Sequence, residues 1–162
     1  MTASKKIVLL GHFGVGKSSL IRRFVENEFS EDYIVTIGVH ISKKTISINE
    51  TDSASLIIWD IEGHDDVKKA RASYLLGTHG FIYVVDLSRP VTFKNLETEL
   101  SYLNEKFPKI PLKVVGNKKD LVTKQHIEQY STILTPFIDY FTSAKTGNRV
   151  ELLFSKLAKE LL

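Results

Sequence analysis

Short apolar runs separated by amphipathic stretches set the pattern of this chain. Six runs are rich in β-branched or aromatic residues and predict strands at Ile7–Leu10, Ile41–Ile48, Ser55–Asp60, Phe81–Leu87, Leu112–Asn117 and Phe137–Thr142. Apolar residues at helical spacing between them predict helices at Lys17–Val25, Asp65–Leu75, Val91–Phe107, Lys124–Leu134 and Arg149–Leu162. Strands that alternate with helices indicate an α/β fold with a mostly parallel sheet covered on both faces.

The second and third predicted strands are joined by the short polar segment Asn49–Ser53. Such a connection predicts a hairpin, so we expect one antiparallel strand at the edge of the sheet. The fourth and fifth runs are almost continuously apolar, as in strands that are buried on both faces. No repeat, low-complexity tract or linker interrupts the pattern, and we expect residues 1–162 to form one domain.

Composition narrows the classes of function. The 22 Lys and Arg against 19 Asp and Glu give a net charge of +3 without a dense basic cluster, which argues against nucleic-acid binding. The absence of cysteine excludes disulfides, thiolate metal sites and cysteine lipidation for this chain. The apolar runs are shorter than a membrane span, and the N-terminus has no secretory pattern, so we expect a cytoplasmic protein.

The strongest motif is Gly11–Ser18, which fits the phosphate-loop template G-x-x-x-x-G-K-[ST] between a predicted strand and a predicted helix. Its glycines allow successive backbone N–H groups to point at a phosphate, and the helix that follows adds its positive dipole end. Lys17 supplies a charge for the β- and γ-phosphates, and Ser18 supplies a hydroxyl for Mg²⁺. The residues predicted to contact phosphate in this loop are Gly14, Val15, Gly16, Lys17, Ser18 and Ser19.

Further polar motifs follow other predicted strands, at the edge of the sheet where ligands bind in such folds. Asp60–Gly63 is a D-x-x-G motif, in which Asp60 can hold Mg²⁺ and the Gly63 N–H can meet a γ-phosphate. The motif is weak by itself and gains weight from its position. Oxygen ligands such as Ser18 and Asp60 suit Mg²⁺.

Two segments predict which base the site binds. Asn117–Asp120 is an N-K-x-D motif, and Ser143–Lys145 follows the last predicted strand. The Asp120 carboxylate can accept from the two adjacent N–H donors of guanine, whereas adenine would leave it unpaired. The Ala144 N–H can meet the guanine oxygen, and the aliphatic part of Lys118 can lie over the ring. The residues predicted to bind guanine here are Asn117, Lys118, Asp120, Ser143, Ala144 and Lys145.

With these motifs the chain resembles Ras-superfamily small GTPases, most of all the Rab branch. The resemblance lies in GHFGVGKSSL, YIVTIGV, IIWDIEG, GNKKDL and FTSAKTG, which span nearly the whole length. It implies a P-loop NTPase fold, a small G domain with a six-stranded sheet and about five helices, and a Mg²⁺-dependent switch between GTP and GDP of the kind that serves vesicle trafficking. It also implies that Phe29 packs on the guanine and that Thr36 coordinates Mg²⁺ and senses the γ-phosphate.

The same resemblance implies protein partners. Effectors and regulators would contact Ile34–Ile41, Trp59 and His64–Leu75, although Trp59 is equally consistent with a half-buried aromatic of the sheet. Relatives that work on membranes carry lipidated C-terminal cysteines. Since this chain has none, membrane association would require a tail that the sequence given does not contain.

Three residues depart from the family pattern near the γ-phosphate. Phe13 stands where relatives have a small residue, Glu62 where they usually have alanine, and His64 where they have the glutamine that orients the attacking water. Phe13 would fill the path of an activating arginine. Glu62 either adds negative charge beside the γ-phosphate or points outward. His64 either accepts from the water, in a catalytic group with Lys17 and Gly63, or is an exposed loop residue.

These departures favour a switch with slow intrinsic GTP hydrolysis and a poor response to arginine-finger activators. The alternative is a hydrolysis-deficient pseudo-GTPase that serves as a GTP-bound binding module or scaffold. A phosphate-loop ATPase or kinase is a third possibility, against which the guanine motifs argue. Arg71 either approaches the phosphate or is a solvated helix residue.

Overall fold

A six-stranded sheet forms the centre of the structure, a computed structural model that describes residues 2–32 and 34–162. Its strands are β1 Thr2–Gly11, β2 Val39–Ser47, β3 Ser53–Ile61, β4 Gly80–Asp86, β5 Leu112–Asn117 and β6 Tyr140–Phe141. Their spatial order is β2-β3-β1-β4-β5-β6. Every neighbouring pair is parallel except β2 and β3. The predicted α/β fold with one antiparallel edge strand is therefore confirmed. Tyr33, part of the YIVTIGV segment, lies outside the described residues.

Helices lie between the strands along the chain. They are α1 Lys17–Glu26, α2 Ala72–Leu75, α3 Leu96–Lys106, α4 Lys124–Gln129, α5 Ser131–Leu134 and α6 Val150–Glu160. Short 3₁₀ segments lie at Val67–Lys69, Pro90–Thr92 and Lys119–Leu121. The described residues thus contain six α-helices where the sequence predicts about five, because the fourth predicted helix divides at Tyr130 (φ −105°, ψ 20°).

Two other predicted elements are shorter than expected. The helix predicted at Asp65–Leu75 is mostly wrong, because Asp66 caps a 3₁₀ turn and the backbone at Ala70 and Arg71 is extended. Only the last four residues of that stretch form α2. The third predicted helix begins only at Leu96, after a 3₁₀ segment.

The sixth strand contains two residues instead of the six predicted. The Phe137 and Ile138 N–H groups both donate to Leu134 O, at 3.1 and 2.9 Å. These bonds continue the turn at the end of α5, so the backbone does not enter the sheet there. The strand pattern of apolar residues in this stretch reflects packing on the core.

The two faces of the sheet bury separate apolar clusters. Along β1, Ile7 and Leu9 belong to one cluster and Val8 belongs to the other, as the two-residue period of a strand requires. The first cluster packs against α1 and α6, where the Phe24 and Phe154 rings stack with centroids 4.1 Å apart. The second packs against α3. With both faces covered, the carboxyl ends of the parallel strands are left to hold the loops of the site.

Within residues 2–32 and 34–162, no helix has the length and apolar character needed to cross a bilayer.

Candidate nucleotide-binding site

The phosphate loop, Gly11–Ser18, connects β1 to α1. Gly16 precedes the helix with φ +100°, and a Cβ at this position would lie 2.3 Å from Asn117 Nδ2. Both the backbone conformation and the close neighbour require glycine. The first N–H groups of a helix have no acceptor within it, so this end of α1 can bind an anion.

Lys17 is almost buried, with 6% of its surface exposed. Its Nζ donates to Gly11 O at 3.3 Å and to His12 O at 3.0 Å. Burial lowers the pKa of Lys17 to about 8, and the nearby Asp60 carboxylate opposes that shift. A desolvated ammonium among backbone carbonyls would be stabilised further by an anion, which fits a phosphate at this position.

The three predicted magnesium ligands lie together. Ser18 Oγ donates to Asp60 Oδ2 and lies 2.9 Å from Thr36 Oγ1, while Thr36 Oγ1 donates to Asp60 Oδ2 at 3.4 Å. Within the described part of the chain, no donor reaches Asp60 Oδ1, although this oxygen is buried. Burial is also the main cause of the raised pKa of Asp60. Two hydroxyls and a carboxylate with an unpaired buried oxygen fit Mg²⁺, which prefers oxygen ligands and would favour the ionised carboxylate.

Asn117 connects the phosphate loop to the guanine loop, Ser143–Lys145. Its buried side chain donates through Nδ2 to Val15 O at 3.0 Å. Its Oδ1 accepts from Thr142 Oγ1 at 3.1 Å and from Ala144 N at 3.3 Å. The Ala144 N–H predicted to meet guanine therefore has a protein acceptor. Ser143 Oγ donates to Asp120 Oδ1 at 2.7 Å, so the guanine loop also orients the carboxylate predicted to read the base.

Lys118 joins the same assembly from an uncommon backbone conformation, with φ +64°. Its Nζ donates to Gly14 O at 2.7 Å and lies 2.9 Å from Asp86 Oδ2. Sequence reasoning missed Asp86. The sequence feature that could have identified Asp86 is its place near the end of the fourth apolar run. A carboxylate buried there needs a charged or hydrogen-bonding partner.

A single cleft of about 420 Å³ collects most of the predicted residues. The residues that were predicted for the site and that line this cleft are Phe13, Gly14, Gly16, Lys17, Ser18, Ser19, Phe29, Thr36, Asp60, Gly63, Asn117, Lys118, Asp120, Ala144 and Lys145. Of the predicted phosphate and base contacts, Val15 and Ser143 are buried behind it. Glu62, His64 and Arg71 do not line it. At its mouth, Lys145 Nζ lies 2.9 Å from Glu31 Oε1, an ion pair that sequence reasoning missed.

The three departures from the family pattern lie close together around Gly63, and of the three only Phe13 lines the cleft. Gly63 packs so tightly that a Cβ would lie 2.5 Å from Phe13 N. The Phe13 and His64 rings meet edge to face, with centroids 6.3 Å apart. Glu62 Oε2 accepts from Gly38 N at 3.3 Å, and its Oε1 lies 3.7 Å from His64 Nε2. The Glu62 carboxylate thus faces the backbone of Gly38 and the His64 ring.

Two arginines hold loops of the site without having been predicted. Arg89 Nη1 donates to Phe13 O at 2.8 Å. Arg23 Nε donates to Ala144 O at 2.8 Å, and its Nη2 donates to Lys145 O at 2.5 Å. Arg71, by contrast, lies over the Tyr74 ring at 5.6 Å from its centroid.

The segments predicted to meet protein partners expose apolar side chains. Ile34 and Ile37 are 72% and 86% exposed. Trp59 is half-buried, with Lys6 Nζ 3.7 Å from its ring centroid and the Tyr74 ring 6.3 Å away. Its position is consistent with both roles considered for it, because a half-buried ring at the surface still offers a contact face.

Two comparisons with known proteins cover almost the whole chain. The model of the Ras family matches residues 6–162. The chain is also similar to the Ras-related protein Rab-1A of Dictyostelium discoideum, with 36% identity over 166 residues, covering 96% of this chain and 79% of that protein. Both matches include the phosphate loop and the two guanine motifs.

Proposed function

This chain belongs to the Ras family and is Rab-like, and we propose that it is a vesicle-trafficking switch that binds GTP and GDP with Mg²⁺ in the cleft described above. We further propose that residues 1–162 are one G domain, that hydrolysis is slow, and that the domain acts in the cytoplasm. Membrane association would depend on a lipid-bearing segment outside the sequence given. Family membership supports GTP binding and GTPase activity.

One observation carries the proposal. A single cleft is lined by the phosphate loop, by the three oxygen-bearing residues Ser18, Thr36 and Asp60, and by Asp120 and the guanine loop. An ATPase needs the first two of these features but has no use for a carboxylate that accepts from two adjacent base donors. The combination supports a guanine nucleotide as the ligand.

Each group has a role that follows from its chemistry. The Lys17 ammonium would neutralise the β- and γ-phosphates, and the Gly63 N–H would meet the γ-phosphate. Asp120 would accept from the guanine ring N–H and amine, while Phe29 would cover the ring. Bound Mg²⁺ would supply electrostatic stabilisation of the phosphate oxygens.

The surroundings of His64 support slow hydrolysis. The His64 side chain does not line the cleft, and its ring is held between Phe13 and the Glu62 carboxylate. Phe13 is 47% exposed at the cleft edge, where a large side chain would obstruct an arginine supplied by an activator. In the general phosphoryl-transfer scheme such an arginine accelerates hydrolysis about 10³- to 10⁵-fold.

Single-turnover hydrolysis of GTP at saturating Mg²⁺ tests the proposal, with Rab-1A of D. discoideum measured alongside. We expect a slower rate for this protein, an increase in Phe13→Gly, and a further change in His64→Gln. Lys156→Ala removes an exposed charge on α6 and serves as the control for unspecific effects. A wild-type rate equal to that of Rab-1A, unchanged in both variants, would refute slow hydrolysis.

The packing of Phe13, His64 and Glu62 also supports the second candidate, a pseudo-GTPase that holds GTP as a binding module. The nucleotide in the purified protein separates the two. Retained GTP with no phosphate release over many hours would favour the binding module, whereas GDP would favour the switch. Effective competition by ATP against a fluorescent GDP analogue would contradict both.

For protein partners, we propose that effectors and regulators contact Ile34–Ile41, Trp59 and His64–Leu75. The exposure of Ile34 and Ile37 supports this surface, because large apolar side chains that remain in water are commonly covered by a partner.

A further inference from the structure

Arg23 uses its whole guanidinium to bind backbone and side-chain oxygens near the base end of the cleft. Nε and Nη2 donate to two successive carbonyls of the guanine loop, Ala144 O at 2.8 Å and Lys145 O at 2.5 Å. Nη1 donates to both Asn27 O and Asn27 Oδ1 at 3.3 Å. Because the guanidinium is planar and rigid, two simultaneous bonds fix the direction of both carbonyls.

The Lys145 carbonyl belongs to the peptide between Lys145 and Thr146, which is connected by hydrogen bonds to the Asp120 carboxylate. On the other side of the same peptide plane, Thr146 N donates to Ser143 Oγ at 3.1 Å. That hydroxyl in turn donates to Asp120 Oδ1 at 2.7 Å. One peptide and one hydroxyl thus connect Arg23 to Asp120, and hydrogen bonds in such a chain strengthen one another.

The first carbonyl determines the direction of a possible ligand contact. In a trans peptide the C=O and N–H point to opposite sides, so binding of Ala144 O by Arg23 turns the Lys145 N–H away from α1. Among residues 2–32 and 34–162, no backbone acceptor pairs with this N–H. The Ala144 N–H already donates to Asn117. The Lys145 N–H is therefore the donor left in this loop for a base carbonyl.

The aliphatic part of Arg23 is also packed. A Cβ on Gly147, which has φ +84°, would lie 3.5 Å from Arg23 Cδ. The aliphatic part of the side chain thus packs beside Gly147, while the guanidinium binds the two carbonyls of the guanine loop. A shorter residue would leave a gap beside Gly147 and would remove the donors of both carbonyls.

We propose that Arg23 is a positioning residue for base recognition, which aims the Lys145 N–H at the 6-carbonyl of guanine and stabilises Asp120 through Ser143. This inference rests on the proposed guanine site. Arg23 itself does not line the cleft. Its contribution should appear as selectivity for bases with a 6-carbonyl, which a purely structural role in α1 would not produce.

Three nucleoside diphosphates separate these effects. GDP and IDP both carry the 6-carbonyl, IDP lacks the exocyclic amine read by Asp120, and ADP carries an amine at position 6. We expect Arg23→Ala to weaken GDP and IDP by about 2- to 10-fold, the range for one lost hydrogen bond. GDP should lose at least as much as IDP, because only GDP carries the amine that Asp120 reads. ADP affinity should stay constant, so the ratio of GDP to ADP affinity should fall. Competition against a fluorescent GDP analogue measures all three.

Equal weakening of GDP, IDP and ADP would overturn the inference, since it would indicate general loosening of the domain. Unchanged GDP and IDP affinities would overturn it as well. Arg23→Lys keeps the charge but offers a single head group to the two carbonyls, so it should recover part of the selectivity. It also replaces the alanine variant if thermal melting shows that Arg23→Ala does not fold. Lys156→Ala controls for the loss of one positive charge.

The proposed guanine site has its own test in the same assay. Asp120→Asn should bind XDP better than GDP, because the asparagine amide can donate to the 2-carbonyl of xanthine. If the wild type does not prefer GDP to ADP, the proposed function fails. If Asp120→Asn switches to XDP while Arg23→Ala keeps the wild-type ratio of GDP to ADP, the inference about Arg23 alone fails.

Discussion

The buried pair of Asp86 and Lys118 offers a quantitative prediction. Asp86 ends β4 with its side chain fully buried. Its Oδ1 accepts from Ser88 N at 2.9 Å and from Ser88 Oγ at 2.6 Å. Its Oδ2 lies 2.9 Å from Lys118 Nζ but receives no well-aligned hydrogen bond from the described residues. Asp86→Asn keeps the shape and the Oδ1 acceptor, and removes the charge that faces Lys118.

The expected cost follows from this geometry. Hydrogen bonds to charged groups contribute about 1.5–3 kcal/mol. Because Lys118 is 31% exposed and the contact is poorly aligned, water can replace part of the interaction, which favours the lower end of the range. We expect Asp86→Asn to lose about 1.5–2 kcal/mol of unfolding free energy. At roughly 2–4 °C per kcal/mol for a domain of this size, the melting temperature should fall by about 3–8 °C.

A double-mutant cycle with Lys118→Met assigns the effect to the pair. Urea unfolding is measured for the wild type, both single variants and the double variant, at two GDP concentrations so that ligand binding can be separated from intrinsic stability. The cost of Asp86→Asn should shrink to below about 0.5 kcal/mol in the Lys118→Met background. An equal cost in both backgrounds would refute the reasoning, since Asp86 would then act through Ser88 and through Arg89, whose Nη1 lies 3.9 Å from Asp86 Oδ2.

Two further predictions concern the segment His64–Leu75 and the metal. Glu99 is buried on α3 and accepts from Val67 N at 2.8 Å, and burial raises the pKa of its carboxyl. Because the pKa in the folded state lies above that in the unfolded state, the wild type loses stability as the pH rises through the folded-state pKa. Glu99→Gln keeps an acceptor without the charge, so its melting temperature should exceed that of the wild type by more at pH 8 than at pH 5, and the opposite trend in thermal melts would contradict this reading. Chelation of Mg²⁺ should speed release of fluorescent GDP from the wild type, and Asp60→Asn should raise the Mg²⁺ concentration needed for half-maximal retention by about 10-fold or more; an unchanged Mg²⁺ titration would exclude Asp60 from the metal site.

The base and phosphate motifs can be recognised in the sequence because the residues of each motif lie close together along the chain. In Gly11–Ser18 the glycines, lysine and serine are adjacent, and the flanking apolar runs identify the strand and the helix. The mostly parallel sheet was predicted from the same alternation of strands and helices, whereas the spatial order of the strands was not predicted. What the motifs could not provide was the partner of each side chain, such as the bond from Asn117 to Val15 O across 102 residues.

Prediction failed where polar contacts decide the local structure. The stretch Asp65–Leu75 has apolar residues at helical spacing, yet Asp66 accepts from Lys68 N at 2.9 Å and Glu99 binds Val67 N. These bonds favour a 3₁₀ turn and an extended connection over a continuous helix. Arg23 was missed for a related reason, because its acceptors are backbone carbonyls that lie 121 and 122 residues away and leave no mark in the sequence.

The contacts also divide the cleft into two unequal sides. On the base side, Asn117, Lys118 and Arg23 each bind a backbone carbonyl of a neighbouring loop, so the phosphate loop, guanine loop and α1 are linked into one body. On the opposite side, Thr36 is held by contacts to Ser18 and Asp60, next to the exposed Ile34 and Ile37. Because both nucleotides share the base and the first two phosphates, substitutions on the base side should change the affinities for GDP and GTP together. Substitutions at Thr36 or Glu62 should instead change the difference between them, since these residues lie on the side where we propose that the third phosphate binds.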